Sequence, residues 1–189
     1  MKNKFVMLSV VLSCAFAGNA MALTKAEYNA HKDRISADYK ASRDKCAALS
    51  ANAKDVCVSE AKGAQKVAKA ELEAQYQPSA KHSRDAAMAK ADAAYDTAKE
   101  KCDDLAGNAK DVCVKDAKAA HVKAKEDAKV VKAVVDSNMD KATNVNEAKR
   151  EANAETREAD YKAAVERCDS LAGAAKDSCV SSAKTKYGM

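Results

Sequence analysis

A chain of 189 residues with 33 basic and 28 acidic side chains, a formal net charge of +5, no tryptophan and a single proline has room for one modest domain or a short array. The two signs of charge alternate along the whole length, which describes a solvated helical surface and excludes the basic stripe that nucleic acid requires. Both phenylalanines, Phe5 and Phe16, lie in the first stretch, so the remaining aromatics are six tyrosines, and no large core with an enclosed apolar pocket is expected of such a composition.

The first element in chain order is a leader. Lys2 and Lys4 precede an apolar run from Phe5 to about Ala17, and Ala20-Met21-Ala22 reads as a small-x-small cleavage site. The run is shorter than the roughly 20 residues that a membrane-spanning helix needs. Residues 1–22 are therefore expected to be a secretory signal peptide, with Leu23 as the new N-terminus. The less favoured alternative is lipidation at Cys14, in Val11-Leu12-Ser13-Cys14.

A repeat follows three times. Its first copy reads Cys46-Ala47-Ala48-Leu49, then Ala53-Lys54-Asp55-Val56-Cys57-Val58; its second runs from Cys102 through Leu105 and Lys110-Asp111 to Cys113-Val114; its third runs from Cys168 through Leu171 and Lys176-Asp177 to Cys179-Val180. A tyrosine stands seven places before each first cysteine (Tyr39, Tyr95, Tyr161), and Ala-Lys follows each second one, as in Ala61-Lys62. Recurrence at so many positions marks a structural unit used three times.

The cysteine spacing constrains the shape of that unit. On one continuous helix, residues eleven apart are separated by about 16 Å, whereas a disulfide needs Cα atoms within about 7 Å. If Cys46–Cys57, Cys102–Cys113 and Cys168–Cys179 each bond, the chain must reverse between them. Gly107 and Gly173 can take the left-handed conformation that ends a helix. Asn52 and Asn108 can cap the following helix, with Asp55 and Asp111 in its first turn. Repeat one has Ala51 in place of the glycine, and repeat three has Ala174 in place of the asparagine. A metal-binding or redox-active pair would usually use C-x2-C, so these six cysteines are read as structural, although six allow 15 pairings.

The flanks carry helical period. Ile35, Tyr39, Ser42, Cys46 and Leu49 step by three and four, as do Met88, Ala91, Tyr95, Ala98, Cys102 and Leu105; Cys57, Ala61, Ala64 and Ala68 continue the stripe after the turn. The fold class expected is all-α: three disulfide-pinned αα-hairpins with Ala-rich, coiled-coil-like packing. Pro78 should break the helix between repeats one and two. The polar stretch from Asp136-Ser137-Asn138 to Asn144-Val145-Asn146 marks a second joint. The units are 23–77, 78–138 and 139–189, the last one truncated. Bundle, solenoid and extended rod all remain open at this level.

Ala-, Lys-, Asp- and Glu-rich helical sequence such as Ala124-Lys125-Glu126-Asp127-Ala128-Lys129 resembles the helical middle domain of TolA-type cell-envelope proteins. The cysteine repeat resembles those of Ala/Lys-rich proteins exported by Gram-negative bacteria. The first repeat, with Leu72 and Tyr76 ending its second helix, is also similar to small periplasmic lysozyme-inhibitor domains. These resemblances imply a periplasmic or secreted location and an envelope role.

The chain has no G-x-S-x-G, H-E-x-x-H or phosphate-cradling glycine loop. His31, His82 and His121 fall at different offsets in the repeats, so the repeat itself builds no histidine site. The expectation is a non-enzymatic structural or interaction protein without a cofactor, whose partner is an envelope protein or a second copy, and with no nucleic-acid ligand and no transmembrane segment after the leader. The alternative is a periplasmic binding module for a metal ion or an inhibitor of an exported hydrolase such as lysozyme. Thiol–disulfide chemistry is the least favoured reading.

Overall fold

The structure is a computed structural model and describes residues 23–136 and 142–189. The expected signal peptide and Cys14 lie outside the described residues, as does the centre of the second joint. The described chain forms six helices: α1 (Lys25–Cys46), α2 (Ala51–Tyr76), α3 (Ala80–Cys102), α4 (Gly107–Asp136), α5 (Ala142–Cys168) and α6 (Gly173–Tyr187). They pair as three hairpins, α1–α2, α3–α4 and α5–α6, each closed at its tip by one bridge.

Local chemistry accounts for the helix ends. Thr24 caps α1: its hydroxyl accepts the Glu27 N–H at 3.2 Å while the Glu27 carboxylate accepts the Thr24 N–H at 2.9 Å, a reciprocal capping box. The backbone N–H of Thr24, with its hydroxyl second, holds the Glu27 carboxyl below its ordinary range. α2 stops at Tyr76, two residues before Pro78, which cannot continue it. Ser79 then caps α3 by accepting the His82 N–H at 3.1 Å. The second joint is shorter than its polar sequence suggests, because α4 runs through Asp136 and α5 already includes Asn144-Val145-Asn146. Helical period on either side outweighs the modest propensity cost of two asparagines.

Among the described residues each helix packs only on the helix before it and the helix after it in the chain. The hairpins do not close into a bundle around a shared core. They lie side by side in an open array one helix thick, with both broad faces in water. The buried side chains are mostly alanines, such as Ala61, Ala86, Ala119 and Ala163, and Leu72 is the one large aliphatic among them. The largest fully buried side chains are Cys46, Cys102 and Cys168, so the most deeply buried point of each hairpin is the sulfur at its tip. Alanine faces bury little area and so stabilise weakly per residue, but they let helices approach closely. α2 and α3 approach closely at Gly63, where an added Cβ would stand 2.8 Å from the Ala93 Cβ.

The apolar stripe read from the sequence is too long at the turn. Leu49, Leu105 and Leu171 are 43%, 44% and 42% exposed. Each helix ends at its cysteine, and the leucine three residues on lies in the turn at the hairpin tip, outside the seam. Its N–H donates to the cysteine carbonyl at 2.9–3.1 Å, which closes that turn. Ala64, further along the same expected stripe, is also exposed. No helix among the described residues is long and apolar enough to cross a membrane.

Candidate functional site

The features that recur in the repeat meet in two places, the hairpin tip and the seam between one hairpin and the next. At the tip, Cys46–Cys57, Cys102–Cys113 and Cys168–Cys179 have Cα–Cα distances of 5.6, 5.7 and 5.7 Å, inside the range for a bridge. All six cysteines of the described chain are therefore spent, and none is left as a thiolate nucleophile.

The turn residues act differently from their sequence reading. Gly107 and Gly173 do take the left-handed region, each at φ +55°, but as the first residues of α4 and α6 and not as stops to α3 and α5. Four turn residues intervene after each first cysteine, which moves the reversal to the glycine. Ala51 fills this place in repeat one at φ +48°, where its Cβ crowds the backbone. Asp55 and Asp111 fall beyond the first turn, since α2 and α4 begin at residues 51 and 107.

Asn52 and Asn108 do not cap their own helices. Each sits inside the first turn, and its side-chain amide donates across to the next repeat: Asn52 to the Glu100 carbonyl at 2.9 Å and Asn108 to the Glu166 carbonyl at 3.1 Å. Those carbonyls belong to the last turns of α3 and α5, where each already accepts one backbone N–H, from Asp103 at 3.0 Å and Asp169 at 3.2 Å, and the asparagine fills the second lone pair. Each asparagine thus fixes the register of the following hairpin. Repeat three has Ala174 at this position, and among the described residues α6 packs on α5 alone.

The rest of the seam is polar and small. Lys101 pairs with Glu60 at 3.1 Å and Lys90 with Glu71 at 2.6 Å between α2 and α3. Between α4 and α5, Arg167 pairs with Asp116 and Lys115 with Glu166 at 3.4 Å. The Ser59 and Thr97 hydroxyls meet at 3.4 Å beside the Gly63–Ala93 contact.

One cluster in the middle of the array has no counterpart in the other repeats. His121 on α4 stacks on Tyr95 of α3, with ring centroids 4.6 Å apart and planes 13° apart. Its Nε2 lies 2.8 Å from Asp92 Oδ1, and Lys66, from the preceding hairpin, holds Asp92 Oδ2 at 2.8 Å. Because a carboxylate only accepts, Nε2 carries the proton in that bond. Nδ1 is buried with no hydrogen-bond partner. Burial pushes the Asp92 carboxyl up, but the Lys66 ammonium and the His121 N–H outweigh it and hold it below its ordinary range. Lys118 lies over the Tyr95 ring, 5.5 Å from its centroid. The same hairpin positions hold Tyr39 and Gln65 in repeat one and Tyr161 and Tyr187 in repeat three, the last two edge to face at 6.5 Å.

The His121 cluster ties α2, α3 and α4 together. Its sulfur-free donor set is one imidazole and one carboxylate already held by a lysine. Among the described residues no three His, Cys, Asp or Glu side chains converge as a metal site would require. His31 is exposed on α1, and His82 turns back to the Gln77 carbonyl at 2.6 Å. The histidine–aspartate pair was the feature that spacing within each repeat concealed, because only repeat two carries it. No protein family, curated protein or solved structure matches the chain.

Proposed function

We propose that the protein is a non-catalytic, periplasmic structural or protein-interaction component of the cell envelope. The observation that carries this reading is the open array: six helices in a single layer leave two broad faces and two edges in water and enclose no core large enough for a substrate pocket. Repeated helical hairpins stacked by nearest-neighbour contacts are a common way to present an extended surface to another protein. Three bridges fit an oxidising compartment, in keeping with the leader expected at residues 1–22. Among the described residues the cysteines are consumed in bridges and His121 is closed in by Tyr95 and Asp92, which supports a reading without thiol or His121-based catalysis.

The test is chemical cross-linking of the oxidised protein in intact cells, followed by affinity capture and subcellular fractionation. The expected outcome is a periplasmic protein with three bridges, recovered with a defined envelope partner. Recovery from the cytoplasm with six free thiols would overturn the location. A protein that captures nothing and sediments as a compact sphere would overturn the role.

A further inference from the structure

The two edges of the array are not equivalent. Each seam between hairpins is built from a donor helix and an acceptor helix. The donor supplies an asparagine in its first turn, an acid eight residues later and a small residue three further on: Asn52, Glu60 and Gly63 in α2, and Asn108, Asp116 and Ala119 in α4. The acceptor supplies two small residues, a helix-end carbonyl and a base: Ala93, Thr97, the Glu100 carbonyl and Lys101 in α3, and Ala159, Ala163, the Glu166 carbonyl and Arg167 in α5.

α6 is the third helix of the donor type and has lost the donor asparagine and acid. Ala174 replaces the asparagine and Ser182 the acid, and the β-branched Thr185 stands at the position of Gly63 and Ala119. α1 is the third helix of the acceptor type and has kept the whole set. Ala37 and Ala41 occupy the small positions, Asp44 offers the carbonyl, and Lys45 stands where Lys101 and Arg167 pair. Ala37, Ala41, Asp44 and Lys45 are all exposed, and Lys45 has no ion pair among the described residues.

We infer that the outer face of α1 is a docking surface for a donor-type helix of a different protein, one bearing N-x7-[DE]-x2-[GA] on an alanine-rich face. The same positions in α3 and α5 are already covered by such a helix, which identifies the occupant. A second copy of this chain does not supply it: the donor faces of α2 and α4 are engaged within the array, and α6 has lost its donor asparagine and acid. The C-terminal edge is accordingly closed to growth, and head-to-tail filaments, the usual product of a heterologous contact that does not close, are avoided. The surface belongs to the interaction role proposed above and rests on it for the existence of a partner; the contact itself is testable without one.

The experiment restores the missing donor on α6. The chain from Leu23 onward, carrying Ala174→Asn, Ser182→Glu and Thr185→Ala, is compared with the unaltered chain by sedimentation velocity. A second variant replaces residues 173–189 with a second copy of the 107–136 sequence, so that the length of α6 does not decide the result. Helix content and the mass of three closed bridges confirm folding. The expected result is a monomeric parent and concentration-dependent oligomers of both donor variants, returned to monomer by Ala37→Glu in the same background. Folded donor variants that remain monomers, or oligomers indifferent to Ala37→Glu, would overturn the inference. So would a parent chain that self-associates through α1, which would make a second copy the occupant.

Discussion

The seam inside a hairpin and the seam between hairpins solve the same problem with different chemistry. Both bring together two alanine-faced helices that bury too little to hold each other. Inside the hairpin the connection is covalent, placed at the tip, and repeated in all three units. Hairpin one has a second fastening at its base, where the Tyr28 and Tyr76 rings meet at 4.5 Å, tilted by 31°, and the Tyr28 hydroxyl donates to Glu73. That donation raises the phenol's pKa, because the bonded hydroxyl resists ionising beside a carboxylate. Between hairpins the connection is an asparagine, ion pairs and a close backbone approach at Gly63. The bridge restricts the unfolded chain, whereas the polar seam acts only once both hairpins have formed. Hairpins should therefore be robust units and their stacking the softer level of organisation.

The largest expected effect tests the covalent level. Cys102→Ser together with Cys113→Ser should destabilise the protein by about 3 kcal/mol, the entropy returned to a short loop, read as a fall in the denaturation midpoint. A loss no greater than that of an ordinary surface substitution would erase the contrast between the two seams. Next comes the polar level. Asn108→Ala removes an amide donor from a helix-end carbonyl and should cost about 1 kcal/mol, while Ala174→Asn, with no acceptor helix beside it among the described residues, should leave the melting temperature of the monomer unchanged. Hydrogen exchange should show Asn108→Ala loosening α5 and α6 ahead of α1 and α2.

A smaller effect, of opposite sign, is expected at the turn. Ala51 alone adopts with a side chain the left-handed backbone that Gly107 and Gly173 adopt without one. Ala51→Gly should stabilise by about 0.5–1 kcal/mol, measured by thermal unfolding. The smallest effect concerns Asp92. Its carboxyl is held below the ordinary value of about 3.9, so its pairing with Lys66 and His121 contributes stability fully above that pH and loses it as pH falls through the depressed value. Melting curves of the parent and Asp92→Asn should differ near neutrality and converge in acid below about pH 4; a difference that persists in acid would mean that the carboxylate's charge does not matter there.

The hairpin was legible in the sequence because C-x10-C is incompatible with a straight helix, and Pro78 had only one thing to do. The asparagines were misread because a residue that can cap locally is first assigned a local cap, and nothing near Asn52 announces a carbonyl at Glu100. A signal existed in the repeat that lacks the residue: Ala174 stands on the donor-type helix whose outer side is uncovered among the described residues. Leu49, Leu105 and Leu171 were drawn into the core stripe by extending a helical period past the residue where the helix stops. The His121–Asp92 pair was hidden because spacing was compared between repeats and not across a hairpin. Once Cys102 faces Cys113, position 95 must lie near position 121, and the stack follows.

The placement of the bridges also governs how the protein is made. Each cysteine's partner is 11 residues away, and the cysteine after Cys57 is Cys102. Every doubling of the distance to a competitor adds about 0.6 kcal/mol of closure entropy, and a chain delivered N-terminus first offers Cys57 to Cys46 before Cys102 arrives. Each hairpin can thus close on its own once its two cysteines meet an oxidant, ahead of the hairpin that follows it.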